Sequence, residues 1–305
     1  MTFFFKKAAE VHPDPDKEKQ GAAGSSVLAA LALVSMKIVV GVMTGSLGIL
    51  AEAAHSALDL VAAVVTFFAV RASSRPADRE HRYGHGKVEN LSAMFETLLL
   101  LLTCVWIGQE AVKRLVTGKV DVEVTVWSFL VMVISIVVDV SRSRMLHRVA
   151  KKYNSHALEA DALHFSTDIW SSSVVIFGLV CVLLSKIIPN AGFLHYADAV
   201  AALVVAVIVV QVSWKLGIRT VEALLDAAPT GIEERVIAVA EQVPGVVNCH
   251  HVRVRCSGPQ VFVDLHVILE GGISLREAHH KTELIEKAIH EVSPGADVTV
   301  HPEPK

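Results

Sequence analysis

Six stretches of this chain, at about 24–44, 47–72, 91–112, 122–145, 156–185 and 197–224, each run for some 20 residues or more with apolar side chains predominating. A bilayer core about 30 Å thick needs roughly 20 such residues to be crossed by one helix. Inside hydrocarbon every backbone N–H and C=O must be satisfied within the segment, so repeated stretches of this kind force a helical bundle. The rest of the composition agrees. Of 305 residues, 52% are hydrophobic and 19% charged, and mean hydropathy is +0.50. A soluble domain carries about 25% charged residues, so no single water-soluble core accounts for this chain. The net charge of -3 and the lack of a long basic run leave no basis for a nucleic-acid partner.

Loop charges set the expected orientation. Lys6, Lys7, Lys17 and Lys19 precede the first stretch, and Arg71, Arg75, Arg79, Arg82 and Lys87 follow the second. Arg142, Arg144, Arg148, Lys151 and Lys152 fall between the fourth and fifth, with Lys215 and Arg219 at the end of the sixth. The alternate loops are poorer, although Lys113, Arg114 and Lys119 after the third stretch go against the trend. The bias puts both termini in the cytosol. Met1 to Gln20 lacks the apolar core and cleavage site of a signal peptide. Cys104, Cys181, Cys249 and Cys256 form no CxxC pair and read as reduced, structural thiols.

Pro229 and Gly231 end the last apolar helix. Beyond them Gly231 to Gln242 has helical spacing, Val246 to Cys256 and Val261 to Leu269 alternate as strands, Leu275 to Val292 is an amphipathic helix, and Asp297 to His301 a third strand. The expected fold is therefore an all-α membrane bundle of six transmembrane helices followed by a small cytosolic α+β domain, αββαβ and ferredoxin-like, with both helices on one sheet face. The expected boundaries are 1–23 for a cytosolic tail, 24–226 for the transmembrane domain and 230–305 for the cytosolic domain.

Two apolar stretches carry a His and an Asp four residues apart: His55 and Asp59 in the second, His164 and Asp168 in the fifth. Spacing of four puts both side chains on one helix face. An ionisable group at the bilayer centre costs roughly 2.5–3.5 kcal/mol, a cost offset if all four converge on a cation. Two imidazoles and two carboxylates suit tetrahedral Zn²⁺, whereas Mg²⁺ and Mn²⁺ favour oxygen alone. The bland alternative is a pair of His–Asp hydrogen bonds that join helices. Glu52 and Asp161 are further acids beside these pairs, at an entrance or in helix packing.

Asp78, His81 and His85 lie within eight residues of the loop after the second stretch, among glycines. They form either an exposed three-ligand metal site or polar residues facing headgroups. The cytosolic domain is rich in imidazole, with His250, His251, His266, His279, His280, His290 and His301. Strict alternation puts His251, Arg253 and Arg255 on one strand face and His250, Val252 and Val254 on the other. His266 points away from the apolar row of Val261, Val263, Leu265 and Val267.

From the first span to the last residue the sequence resembles the cation diffusion facilitator family of divalent metal/proton antiporters. The resemblance implies that His55, Asp59, His164 and Asp168 form the transport site. The His at 55 resembles zinc-preferring members, while Asp there goes with wider acceptance of cadmium or iron. It also implies a loop metal site at Asp78, His81 and His85. A binuclear zinc site is implied at His250, His266, His279, His301 and Glu303, where some relatives have Asp in place of Glu303. A pairing of Lys87 with Asp226 is implied too, interlocking two protomers. The expected activity is efflux of Zn²⁺ from the cytosol in exchange for protons, by a homodimer in the lipid bilayer, most simply the inner membrane of a bacterium. Zn²⁺ is then both substrate and structural or regulatory ligand, with no organic cofactor and no enzymatic activity. Alternatives are preference for Fe²⁺, Cd²⁺, Co²⁺ or Mn²⁺, a membrane-anchored metal sensor or chaperone that carries nothing, and an intramembrane metalloenzyme, which the absence of HExxH disfavours.

Overall fold

A computed structural model of the chain describes residues 14–45, 47–117, 126–187 and 197–305. The expected loop charge Lys119 lies outside these residues, as does the side chain of Cys181. Six long helices come first: α1 (Pro15–Thr44), α2 (Leu47–Ser73), α3 (Lys87–Thr117), α4 (Val126–Tyr153), α5 (His156–Ile187) and α6 (Ala197–Leu224). The C-terminal part follows as α7 (Ile232–Glu241), β1 (Val246–Ser257), β2 (Gln260–Leu269), α8 (Leu275–Val292) and β3 (Asp297–Pro304).

Among the described residues, Pro15–Thr44, Glu52–Ser73 and Lys87–Trp106 are long and apolar enough to cross a membrane. Large apolar side chains such as Leu28, Met43, Phe68, Leu102, Trp106, Trp170 and Trp214 face outward from the bundle. Small residues fill its centre, with Ala22, Ala23, Ala63, Ala157 and Ala162 packed around Val70, Leu146, Leu158 and Phe165. Small side chains let helix backbones approach where apolar solvent supplies no hydrophobic drive.

Helices α1 and α4 run well past the apolar pattern, and both extensions are polar. The α1 helix starts at Pro15, within the expected tail, because Pro15 sits in its first turn and the Asp14 side chain accepts from the Asp16 N–H at 3.2 Å. The extra turns carry Lys19, which is buried and pairs with the buried Glu89 of α3 at 3.0 Å. Ser73 Oγ also donates to Glu89, at 2.8 Å, as does Ser155 Oγ. One carboxylate thus ties α1, α2, α3 and the start of α5. At the other extension, α4 continues to Tyr153, so Arg142 is not a loop charge. It is buried, 3.4 Å from Asp139, donating to Ser26 Oγ at 3.0 Å and stacked 3.5 Å over the Phe165 ring. A charge inside the bundle persists because each of these partners is there to meet it.

In the C-terminal part the strand order is β1-β2-β3, with β1 antiparallel and β3 parallel to β2. Val263, Leu265, Val267 and Leu269 of β2 pack with Val236 and Ala240 of α7 and Ile285 and Ile289 of α8. Both helices therefore cover one sheet face, as expected, and the other face is left to β2 residues of even number. Helix α8 opens with a capping box in which Ser274 and Glu277 satisfy each other's backbone N–H.

The loop between α2 and α3 touches the β1–β2 hairpin. Tyr83 meets Phe262 edge to face with ring centres 5.3 Å apart, and the Arg255 guanidinium lies 3.9 Å over the Tyr83 ring. Beside them Gly86 and Gly258 approach backbone to backbone, and a Cβ on Gly86 would overlap the Ser257 carbonyl.

Candidate metal centres

Helix periodicity brings the paired His and Asp side chains of α2 and α5 together. On α5, His164 Nε2 lies 3.1 Å from Asp59 Oδ1 of α2 and 3.8 Å from Asp168 Oδ2. Donor atoms of Asp59, His164 and Asp168 all fall within 4.8 Å of one another. His55 stands at the edge of this group, with Nε2 4.0 Å from Asp168 Oδ1. The set has two nitrogen and two oxygen donors, the number and kind that a tetrahedral zinc ion takes.

Lys37 was not singled out in the sequence, yet it is buried beside this centre. Its ammonium donates to Ser56 Oγ at 2.7 Å and lies 3.3 Å from Glu52 Oε2. Glu52 is thus engaged by a cation of α1. The signal was a lone lysine within an apolar stretch, which lipid tolerates poorly. Asp161, fully buried, accepts from Ser26 Oγ at 3.2 Å. With Arg142 and Asp139 it makes a polar layer next to the four ligands. Glu96 of α3 is a further buried acid, accepting from Thr66 of α2.

The three loop residues also meet. Asp78 Oδ1 is 3.3 Å from His81 Nδ1, and Asp78 Oδ2 is 3.4 Å from His85 Nε2. The backbone N–H groups of His81 and Glu80 donate to Asp78 and hold its carboxyl below the usual range, ionised and ready to accept a cation. Lys87 pairs with Asp226 at 3.0 Å within one chain and donates to the Leu224 carbonyl at 3.2 Å. Asp226 has φ 62°, the left-handed turn that closes α6.

The cytosolic cluster departs from the alternation argument. The register of β1 on β2 shifts between His250 and Arg253, where two residues face one. Past this bulge the phase inverts, so His250, paired with His266, shares a face with Arg253 and Arg255 rather than with Val254. The result is a patch of imidazoles on the open sheet face. His250 and His266 ring centres are 5.6 Å apart, and His266 and His301 are 4.7 Å apart. Glu303 lies 2.9 Å from His266 Nδ1 and 3.4 Å from His250 Nε2. The hydrogen bond from His266 leads in lowering the Glu303 carboxyl below its ordinary range. Donors of His266, His301 and Glu303 lie within 4.8 Å of one another, so Glu303 reaches the cluster despite its longer side chain. His279 does not join them. It sits on α8, in the helix layer across the sheet, exposed and 3.5 Å from Glu283.

Comparison with known proteins agrees in both halves. Residues 25–225 match the cation efflux transmembrane domain and residues 228–305 the cation efflux protein cytoplasmic domain. A cation-efflux pump FieF from Yersinia enterocolitica is 32% identical over 289 residues, covering 94% of this chain and 92% of its own length. That from Shewanella oneidensis is 30% identical over 284 residues, covering 93% of each chain. The solved domain MamM-CTD is 24% identical over 24% of this chain and 95% of its own, with a TM-score of 0.24.

Proposed function

The chain belongs to the cation diffusion facilitator family of cation-efflux membrane proteins, and from that premise we propose that it exports Zn²⁺ from the cytosol in exchange for protons, as a homodimer. In this reading all six helices α1–α6 span the inner membrane of a bacterium, with both termini in the cytosol. The observation that carries it is the convergence of Asp59, His164 and Asp168 from two helices, with His55 at the edge of the group 4.0 Å from Asp168.

The chemistry follows from the donor set. Metal needs neutral imidazole and ionised carboxylate, so protons and the ion compete for the same atoms. A proton arriving from the outer side at an imidazole or carboxylate weakens the hold on the ion, and the emptied, protonated site returns inward. Vectorial movement also needs the site to open to one side at a time. Given the proposed orientation, α2 enters from the outside, so Glu52 and His55 lie outward of Asp59. Their side chains are 57% and 33% exposed. On the inner side stand buried Arg142 and Asp161. This asymmetry supports an outward-facing arrangement, with the Lys19–Glu89 pair holding the cytosolic ends of four helices together. The loop and the sheet-face cluster would hold structural or regulatory zinc, through Asp78, His81 and His85 and through His250, His266, His301 and Glu303. Zinc there would cross-link segments of backbone and bias dimer geometry when cytosolic metal is high, provided its affinity differs between states.

Flux into proteoliposomes carrying a zinc-sensitive dye, under an imposed pH gradient, tests this reading. Gradient-driven Zn²⁺ movement lost in Asp59→Ala and outcompeting Cd²⁺, Fe²⁺ and Mn²⁺ is expected. Inserted protein that binds metal in its cytosolic domain yet moves none would make the chain a sensor instead.

A further inference from the structure

We infer that His251 is a metal ligand of the cytosolic domain, acting with His250 and His266 as an all-imidazole set beside His266, His301 and Glu303. The inference rests on the reading that this sheet face takes metal, and adds a ligand to it.

Three observations converge on His251. Its backbone has φ 51°, in the left-handed region that residues other than glycine enter infrequently. It lies in the β1 bulge, between His250 and Arg253, where two residues oppose one. Bulges recur beside functional sites because they re-aim a side chain. The effect here is direct. In regular alternation His251 would point to the opposite face from His250. In the bulge its ring centre stands 4.9 Å from that of His250 and 5.3 Å from that of His266. Donor nitrogens of the three residues fall within 4.8 Å of one another. Local strain of this kind costs of order 1–3 kcal/mol and is kept where surrounding structure or function requires it. His251 is exposed and its ring contacts are with imidazoles, so packing gives the distortion little return.

The donor set defines the ligand class. Three neutral imidazoles, with Glu303 beside His250 and His266, select borderline divalent ions, Zn²⁺, Ni²⁺, Co²⁺ or Cu²⁺, over Mg²⁺ and Mn²⁺. The neighbouring set contains the Glu303 oxygens and is harder. His266 is common to both sets.

The test uses the full chain with Asp59→Ala and Asp78→Ala, which confines tight binding to the cytosolic domain. Zn²⁺ is titrated against a chromophoric chelator and Co²⁺ by its visible d–d absorption. His251→Asn keeps a residue tolerant of positive φ but removes the imidazole; His251→Gly does the same and guards against misfolding. Expected is a loss of one equivalent, or about tenfold or greater weakening of it, with an altered Co²⁺ spectrum. Unchanged binding in either folded variant, while His266→Ala loses metal, overturns the role of His251 and leaves the sheet-face site standing. Unchanged binding in all three removes the site itself.

Discussion

The bundle and the cytosolic domain both gather histidines and carboxylates, but by different geometry and at different cost. In the bundle, two rigid helices each present a His and an Asp at spacing four, and the ligands stand where unpaired charge is least tolerated. In the cytosolic domain, strands and a bulge spread imidazoles over an open face where water already solvates them. Burial leaves Asp59, His164 and Asp168 few partners beyond one another. Exposure makes the second adjustable, with single ligands that matter by degrees. In the proposed reading, transport chemistry falls to the first and tuning to the second.

The sharpest way to break this contrast is to remove one carboxylate from each region. Asp59→Ala or Asp168→Ala should lower Zn²⁺ flux at least about a hundredfold, since one of four ligands and the balancing charge are both lost. Glu303→Ala should retain more than about a tenth of the flux and shift only its dependence on cytosolic metal. Equal losses in the proteoliposome assay would show that the two regions act as one unit.

The same contrast explains what the sequence made legible. Helix spacing is set locally by 3.6 residues per turn, so the sequence alone places His55 with Asp59, and His164 with Asp168, on one helix face each. Strand phase is local only until a bulge intervenes. One extra residue at His251 inverted the faces assigned to His250 and Arg253, and no residue type in that stretch announced it. The resemblance groups His279 with the cluster, whereas within one chain the fold puts α8 across the sheet. Lys19, Lys37, Arg142 and Glu89 read from sequence as loop charges or carry no signal of their partners, because their value depends on partners distant in sequence, 15 residues away for Lys37–Glu52 and 116 for Arg142–Ser26. The long helices are legible in the hydropathy, but the polar extensions at Pro15 and Tyr153 are not, since hydropathy ends where the charged turns begin.

Within the bundle, the Lys19–Glu89 pair should resemble the buried ligands in its sensitivity. Glu89→Gln leaves a buried ammonium short of its counter-charge, and losses of about 3–5 kcal/mol accompany such half-removal. A large fall in the melting temperature of detergent-solubilised protein is expected, with Lys19→Met combined with Glu89→Leu recovering most of it. A mild single-variant effect would mean that the inner end of the bundle is wet and behaves like the cytosolic face.

Where the two regions touch, Gly86→Ala is expected to cost about 1–3 kcal/mol, the range for forcing atoms into a filled space, because its Cβ would meet the Ser257 carbonyl. Faster hydrogen exchange at the 257–260 turn, with the rest of the cytosolic domain unchanged, would localise the effect. Exchange spread across α2 and α3 would instead couple the loop to the bundle.

On the exposed side, pH separates Glu303 from its buried counterparts. Its carboxyl is held below the ordinary range by His266, so the stabilisation is present above that range and fades as pH falls through the lowered value. Melting of metal-free protein should therefore fall more steeply in acid than that of Glu303→Gln, by a small margin because the group is solvated. Parallel curves would remove His266 as its partner.

The smallest effect is expected at Lys87 and Asp226, whose side chains are 35% and 42% exposed. A single exposed pair gains little over water and is screened by salt, typically contributing under about 1 kcal/mol. In this chain Lys87 also donates to the Leu224 carbonyl, so it holds the start of α3 to the end of α6 by two contacts. A double-mutant cycle with Lys87→Met and Asp226→Asn isolates the charge–charge part, since the carbonyl contact is lost in both arms that carry Lys87→Met. A coupling under about 1 kcal/mol that disappears at high salt fits an ordinary intrachain surface pair. A coupling that exceeds this, resists salt and varies with protein concentration would place the pair between protomers, giving the exposed side of the molecule one interaction with the stringency of the buried site.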